Sequence, residues 1–406
     1  MKKIKIGLLP RVVIAIALGI LCSMFLPVPL VRIFETFNSL FSSFLGFIIP
    51  LLIIGLVAPS IADLGKGAGR LLVIVAVIAY ASTILSGFFS YFTTAWSLPL
   101  VLSPDETLSA ATLEATNAIT PYFTIPMSPV MDVTAALVFA FVLGLGVIAV
   151  NGVKSKEVLR EFGDIIVVII KHIIVPLLPI FIFGIFLKIG AEGQVPVVLG
   201  LFFKVIVIIF IMHILLLLFQ YSIAGIYARR NPFKVLKIML TAYATALGTQ
   251  SSAATIPVSL AQIKKAGIDP DLADFMIPLT VNIHLAGSIL KIVSCAYAIM
   301  YMSGIPATLD LFGGFIFMLA IIMVAAPGVP GGAIMASIAL LQSMLGFDET
   351  TVGLMIALYI AMDSFGTAAN VTGDGAIAII MDKIYRKDKD KAKSVAEVNS
   401  HFGNSI

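Results

Sequence analysis

The sequence reads Gly248-Thr249-Gln250-Ser251-Ser252-Ala253-Ala254-Thr255-Ile256-Pro257 in the middle of an apolar stretch from residue 239 to 260. A second apolar stretch, from 312 to 345, is interrupted by Pro327-Gly328-Val329-Pro330-Gly331-Gly332. Glycine leaves the backbone free and proline lacks an amide donor, so both residues break helices. Each stretch therefore predicts two short helices joined at a break, and these breaks decide how the chain folds.

The composition identifies a membrane protein. Of the 406 residues, 60% are hydrophobic and 12% are charged, and the mean hydropathy is +1.10. At about 20 residues per crossing, this apolar content allows roughly twelve membrane helices at most. It excludes a soluble enzyme, a nucleic-acid binder and a secreted disulfide scaffold. Cys22 and Cys295 lie in apolar stretches and fit no metal or redox spacing. We expect no cleavable signal peptide.

Uninterrupted apolar runs mark eight predicted spans, at residues 7–27, 38–61, 71–99, 132–150, 161–189, 197–227, 272–301 and 353–382. If only these runs cross, 19 of the 26 basic residues fall in segments on one side of the membrane, whereas Arg32 alone falls in those of the other. Cytoplasmic loops carry the excess of Lys and Arg. The pattern predicts a multi-pass protein of the cytoplasmic membrane with both termini in the cytoplasm.

The two interrupted stretches fit this charge map as re-entrant hairpins. A full crossing by residues 239–260 would move Lys264 and Lys265 outside and invert the rest of the map. The first hairpin is thus predicted to enter from the cytoplasm and the second from outside. Interrupted segments of opposite entry indicate inverted repeats in a secondary transporter. The alternative is a pair of proline-kinked helices that cross the membrane.

Polar residues within the last predicted span form one stripe. Their offsets of 0, 4, 7 and 11 put them on one side of a helix, and they are Asp363, Thr367, Asn370 and Asp374. Carboxylate and amide oxygens are ligands for hard cations, and ionisable residues inside a span are functional candidates by default. The stripe predicts a cation or substrate site. The alternative is a structural seam of hydrogen bonds between helices.

The seventh predicted span carries Asn282, His284, Ser288 and Lys291. His284 and Lys291 are seven residues apart and should share a face of a continuous helix. Lys291 lies too deep to reach the membrane surface easily, so it needs an anionic partner. A phosphate-binding loop and the HExxH and GxSxG motifs are all missing from the sequence. Nucleotide-driven transport is therefore unsupported.

The last span also contains Asn370-Val371-Thr372-Gly373-Asp374, which resembles the NVTGD signature of the dicarboxylate/amino acid:cation symporters, the glutamate-transporter family. The segments 249–258 and 328–331 resemble the two hairpin tips of that family. The resemblance implies an all-α membrane protein with eight transmembrane helices, two re-entrant hairpins and elevator-type transport. Residues 1–70 and 130–190 would form the scaffold and homotrimer contact (spans 1, 2, 4 and 5). Residues 71–99 and 197–385 would form the transport domain, and 386–406 a cytoplasmic tail.

The resemblance also implies site residues. Asp363 would bind the amino group of a substrate and Asn370 its carboxylate. The complete substrate set is Ser251, Ser252, Val329, Asp363, Thr367, Asn370 and Lys291. One sodium ion would be held by Asp374 and Asn370, and a second by backbone carbonyls near Asn282 and the second hairpin, with Thr280 in the same set. At a third position the residues would be His284, Ser82 and Thr83.

Departures from the family pattern refine these expectations. Ala286 replaces a carboxylate of the third sodium site, so we expect fewer than three sodium ions, with a proton on His284 as an alternative. Gly366 and Gln250 replace arginines that bind a second substrate carboxylate, which favours a small neutral amino acid. The alternative is an acidic amino acid or dicarboxylate bound through Lys291. A channel and a membrane-embedded enzyme are the rival classes.

Overall fold

The computed structural model describes residues 7–64, 70–101, 119–193, 195–326 and 330–403. Within these residues the regular structure is helical, without a strand. A π-helical turn, Ile170–Ile174, joins the fifth and sixth helices. The α-helices are α1 Leu8–Ser23, α2 Val28–Leu64, α3 Arg70–Val101, α4 Val133–Ala149, α5 Val153–Ile169, α6 Val175–Ala191, α7 Val195–Ala228, α8 Pro232–Thr249, α9 Ser252–Lys265, α10 Pro270–Ile283, α11 Ala286–Met302, α12 Leu309–Ala325, α13 Gly332–Leu345, α14 Glu349–Ala361 and α15 Asp363–Gly403.

Several of these helices have the length and apolarity of membrane spans. Five described segments meet both criteria, namely Val28–Pro59, Arg70–Val101, Val153–Ala191, Val198–Ala228 and Pro270–Met302. A sixth is formed if α14 and the first part of α15 count as one span bent by 60°. The apolar helix α1 and the apolar part of α4 are shorter. The chain is therefore a multi-pass membrane protein, and the number of eight spans stays a prediction.

The first predicted break lies between α8 and α9. Gln250 adopts the left-handed conformation, with φ of 54°, and ends α8. The side chain of Ser251 then caps α9 by accepting a hydrogen bond from the amide of Ala254. At the far ends of the two helices, the Arg230 guanidinium donates to the carbonyl oxygen of Ala266 over 2.8 Å. The chain thus turns back on itself, as the sequence predicts.

The second predicted break lies between α12 and α13. α12 ends at Ala325, and α13 begins after Gly331, whose φ of 75° suits glycine. The two helices pack against each other. Pro327, Gly328 and Val329 lie outside the described residues. How either hairpin sits in a membrane stays a prediction.

A third break was not predicted, and it corrects the sequence analysis. The predicted span 272–301 is two helices, because His284 has an extended backbone and ends α10 while α11 begins at Ala286. His284 and Lys291 therefore do not share the face of a continuous helix. A comparable break at Met362 divides the predicted span 353–382 into α14 and α15. Both breaks bring polar residues to the interior.

Helix α15 lies at the centre of the C-terminal half. Helices α7, α8, α10 and α11 pack around it, and α3 packs on α11. Its first twenty residues are buried at almost every position. Gly375 allows α15 to lie close to α7, because a side chain at this position would collide with the hydroxyl of Tyr221 on α7. That hydroxyl donates to the carbonyl oxygen of Thr372 over 2.7 Å. In the N-terminal half, α1 packs on α6, and α2 on α4 and α5.

Candidate functional site

A buried ion pair occupies the start of α15. The Lys291 ammonium lies 3.0 Å from Oδ1 of Asp363, and the two side chains are 0% and 8% exposed. The other carboxylate oxygen, Oδ2, accepts a hydrogen bond of 2.8 Å from the backbone amide of Gly331. The anionic partner that the sequence demands for Lys291 is thus Asp363. The same carboxylate ties α11 to the start of α13 in the second hairpin.

The path of the Lys291 side chain depends on two neighbours. A Cβ at position 366 would lie 2.6 Å from Lys291 Nζ and nearer still to Cε, so only glycine leaves room for this side chain. The ammonium also lies 3.6 Å from the centre of the Tyr359 ring, in cation–π geometry. Sequence reasoning missed Tyr359. Its position four residues before Asp363 in the sequence was the available signal.

Asn370 follows Asp363 by seven residues, about two turns further along α15. Its Oδ1 accepts hydrogen bonds from the amides of Gly287 and Ser288, at 2.7 and 3.2 Å. Its Nδ2 donates to Oγ of Ser288 over 3.0 Å. The first amides of a helix lack intrahelical partners, so Asn370 satisfies the start of α11. An amide nitrogen carries two donors, which leaves one for a bound carboxylate.

A second polar cluster surrounds Asp374, which is fully buried. Its Oδ1 lies 3.0 Å from Nδ1 of His284, and Nε2 of the same ring lies 3.0 Å from Oγ of Ser82. The Gln220 amide donates to that hydroxyl oxygen, also over 3.0 Å. One consistent arrangement has Gln220 donating to Ser82, Ser82 to His284, and His284 to Asp374. A neutral imidazole is sufficient for it.

Oxygen atoms around this cluster retain unused acceptor capacity. Two buried oxygens of this cluster, Oδ2 of Asp374 and Oε1 of Gln220, have no hydrogen-bond partner among the described residues. Buried acceptors normally have partners, and carboxylate, amide and hydroxyl oxygens suit a hard cation. A cavity of about 200 Å³ reaches Ser82, Gln220 and Gly373, but apolar side chains form most of its lining and Asp374 does not line it. The residues present fit a sodium ion, and Gln220 is a candidate ligand that sequence reasoning missed.

The other predicted site residues lie in different surroundings. Ser252 and Thr367 are buried, and Ser251 caps α9. Thr83 and Thr280 are buried, but their hydroxyls donate to the carbonyl oxygens of Ala79 and Ile277. Asn282 is exposed and its amide donates to its own helix at Pro278, so its side chain does not join the Asp374 cluster. Val329 lies outside the described residues.

Together these features define a class of protein. Broken helices hold a buried ion pair and a cluster of unpaired oxygens inside a multi-pass helical protein. This architecture is typical of a membrane transporter and not of an enzyme. The chain belongs to the sodium:dicarboxylate symporter family, whose model matches residues 8–384. The family inferred from the hairpin and Asn370–Asp374 motifs is therefore confirmed.

Individual relatives are more distant. The serine/threonine transporters SstT of Acinetobacter baumannii strains AYE and AB307-0294 are each 25% identical to this chain over 393 residues. The match covers 93% of this chain and 97% of each relative. The chain is thus a divergent member that spans the length of these transporters.

Proposed function

We propose that this protein is a sodium-coupled symporter that carries a small neutral amino acid across the cell membrane. One observation carries the proposal: Asp374 is fully buried within a membrane helix, and one of its oxygens has no partner among the described residues. An ionised carboxylate in this position needs a counter-charge, because burying an uncompensated charge is costly. A bound sodium ion would supply that charge.

The residues and the family support sodium as the coupling ion. Oxygens of Asp374 and Gln220 would hold it, while His284 and Ser82 orient the carboxylate from the other side. Ala286 stands where the resemblance expects another carboxylate, so we propose fewer than three ions. A proton is the alternative additional coupling ion.

The relatives support an amino acid as substrate, since their names describe serine and threonine transport. Gly366 and Gln250 favour a neutral one, because neither offers a cation to a second carboxylate. An acidic amino acid or a dicarboxylate is the second candidate. The observation in its favour is the Lys291 ammonium inside the site, and it agrees with the description of the family.

Elevator movement and a homotrimer complete the proposal. The packing of α3, α7, α8, α10 and α11 around α15 supports one moving unit, and the packing of α1, α2, α4, α5 and α6 supports a separate scaffold. Movement of the whole unit would carry both polar clusters across the membrane together.

Uptake into sealed proteoliposomes tests the proposal. We expect labelled L-serine or L-alanine to accumulate against its gradient when sodium is high outside, and accumulation to stop when the sodium gradient is collapsed. Asp374→Asn should lower uptake roughly ten- to a hundredfold, as expected for a lost charged interaction. Asp310→Asn, at an exposed position in the first turn of α12, is the control. Equilibration without accumulation would indicate a channel.

A further inference from the structure

Lys291 and Asp363 form a compact pair of opposite charges that the cation cluster does not use. Their charged atoms are 3.0 Å apart in an almost fully buried position where α11, α13 and the start of α15 meet. We infer that Lys291 is the receptor for the α-carboxylate of an amino acid zwitterion. Its ammonium binds the substrate carboxylate, while Asp363, as the resemblance to the family implies, takes the substrate ammonium. This inference rests on the proposed function and adds the residue that binds the carboxylate.

The first argument is charge balance. The Lys291–Asp363 pair carries no net charge, and a zwitterion adds none. Side by side, the four groups form a ring of alternating charge in which every ammonium contacts two carboxylates. A dicarboxylate would leave negative charge uncompensated in this buried position, and a simple amine would leave positive charge. The neutral pair therefore selects a solute that carries both charges.

The second argument is hydrogen-bonding capacity. A lysine ammonium has three donors and a carboxylate has about four acceptor positions. Lys291 directs one donor to Asp363 and places its charge over the Tyr359 ring. Asp363 accepts one bond from Lys291 and one from the Gly331 amide. Both groups can therefore bind a zwitterion while their own contact remains intact.

The third argument concerns the position of the Lys291 charge. The ammonium is held by Asp363 on one side and by the Tyr359 ring on another, and its stem fills the space above Gly366. Once the α-carboxylate is bound, a second substrate carboxylate would meet a Lys291 charge that is already shared between two anions. Asn370 lies along the same helix, and its free amide donor can assist the α-carboxylate. The arrangement favours one carboxylate and one ammonium on the same small molecule.

Ligands with one skeleton and different charges test this inference. The purified full-length protein is titrated in sodium buffer with L-alanine, L-lactate and L-alaninamide, and binding is followed by thermal shift and calorimetry. Lactate replaces the ammonium with a hydroxyl, and alaninamide replaces the carboxylate with an amide. L-Serine, glycerate and serinamide form a second set. We expect each zwitterion to bind at least tenfold more tightly than both of its analogues, and more tightly than succinate or L-aspartate.

Variants separate recognition from structural support. Lys291→Met and Asp363→Asn should each lose zwitterion binding, but either one leaves a lone buried charge and can destabilise the fold. The double variant Lys291→Met/Asp363→Asn removes both charges, so it should fold and retain its sodium-dependent thermal shift while losing alanine binding. Lys188→Met is the matched control, because it removes a comparable lysine–carboxylate pair, with Glu35, outside the site.

The outcomes are distinct. Sodium-dependent binding of alanine or serine that is lost in Lys291→Met, while that variant keeps its sodium-dependent thermal shift, supports the inference. Alanine binding that survives in Lys291→Met or in the double variant overturns it and leaves the proposed function intact. Binding of lactate equal to that of alanine, or preferred binding of aspartate or succinate that Lys291→Met abolishes, also overturns it, since Lys291 would then be an anion receptor alone. A protein that binds none of these probes in sodium overturns both proposals.

Discussion

Asp374 and Gln220 contribute to one cluster from two different helices, α15 and α7. A ring nitrogen of His284 orients the Asp374 carboxylate, and the hydroxyl of Ser82 orients the Gln220 amide. Their remaining oxygens have no partners among the described residues. Such preorganised acceptors bind a cation with little reorganisation, and the nitrogen contacts keep them from rotating away.

Replacing Gln220 tests whether its amide oxygen contributes to the cation site. Gln220→Leu keeps a similar volume and removes the oxygen. We expect the sodium concentration that gives half of the thermal stabilisation to rise roughly tenfold, because the ion loses one coordinating oxygen. Gln262→Leu in α9 is the control. An unchanged sodium titration in Gln220→Leu would exclude the glutamine from the site.

The sequence could predict some of these residues and not others. Asp363, Asp374 and Lys291 were predictable because a charge inside a membrane helix is costly and demands a partner. Gln220 was not, since a single amide in a long apolar helix costs little and has many structural uses. The sequence identified His284 as a candidate. Its contact with Asp374 depends on the helix break between α10 and α11, which the sequence does not predict.

At the scale of helices, the breaks between helices position the polar side chains of the site. The break at Gln250 was predictable, because small polar residues and Pro257 follow it. The break after Ile283 was not predictable from the sequence. The nearest proline, Pro278, lies five residues before it, and the nearest glycine, Gly287, lies beyond the start of α11. Tertiary contacts hold it instead. Asn370 accepts hydrogen bonds from the amides that begin α11 and lack intrahelical partners, and Asp374 holds the imidazole of His284.

The packing of α11 on α15 yields a test of the ion pair that removes neither charge. Gly366→Ala places a methyl group against Lys291, whose ammonium is pinned by Asp363 and cannot yield freely. We expect a loss of about 1–3 kcal/mol in stability, typical of overpacking, together with weaker substrate binding. Gly313→Ala in α12 meets open space and should be neutral or slightly stabilising. Equal thermal stability of the two variants would contradict this account.

At the scale of the whole molecule, composition and charge distribution identified a multi-pass membrane protein, and three short motifs identified its family. Local patterns suffice for these conclusions because the bilayer imposes simple rules on span length and loop charge. The number of spans, the elevator movement and the trimer remain predictions. These three features depend on contacts with the membrane and with other copies of the chain. Residue patterns within one sequence do not identify those contacts.

Contacts at one end of the molecule predict which loops share a side of the membrane. Arg230, before α8, bonds to Ala266, after α9. Asp382 on α15 joins them, since it lies 3.6 Å from the Arg230 guanidinium and accepts a hydrogen bond from the Asp269 amide. The two ends of the first hairpin therefore lie together with the end of the last membrane helix. Two proline-kinked spans in place of the hairpins would require the ends of α8 and α9 to lie on opposite sides.

Cysteine labelling decides between these topologies. In a background without Cys22 and Cys295, single cysteines replace Lys234, Lys264 and Ile305, all exposed to solvent or lipid. A membrane-impermeant maleimide applied to intact cells should label Ile305→Cys alone, and inside-out vesicles should label the other two. The positive charge around the hairpin ends places them in the cytoplasm. Labelling of Lys234→Cys and Lys264→Cys from opposite sides would disprove the re-entrant hairpin, and with it the inverted repeat on which the proposed transport mechanism depends.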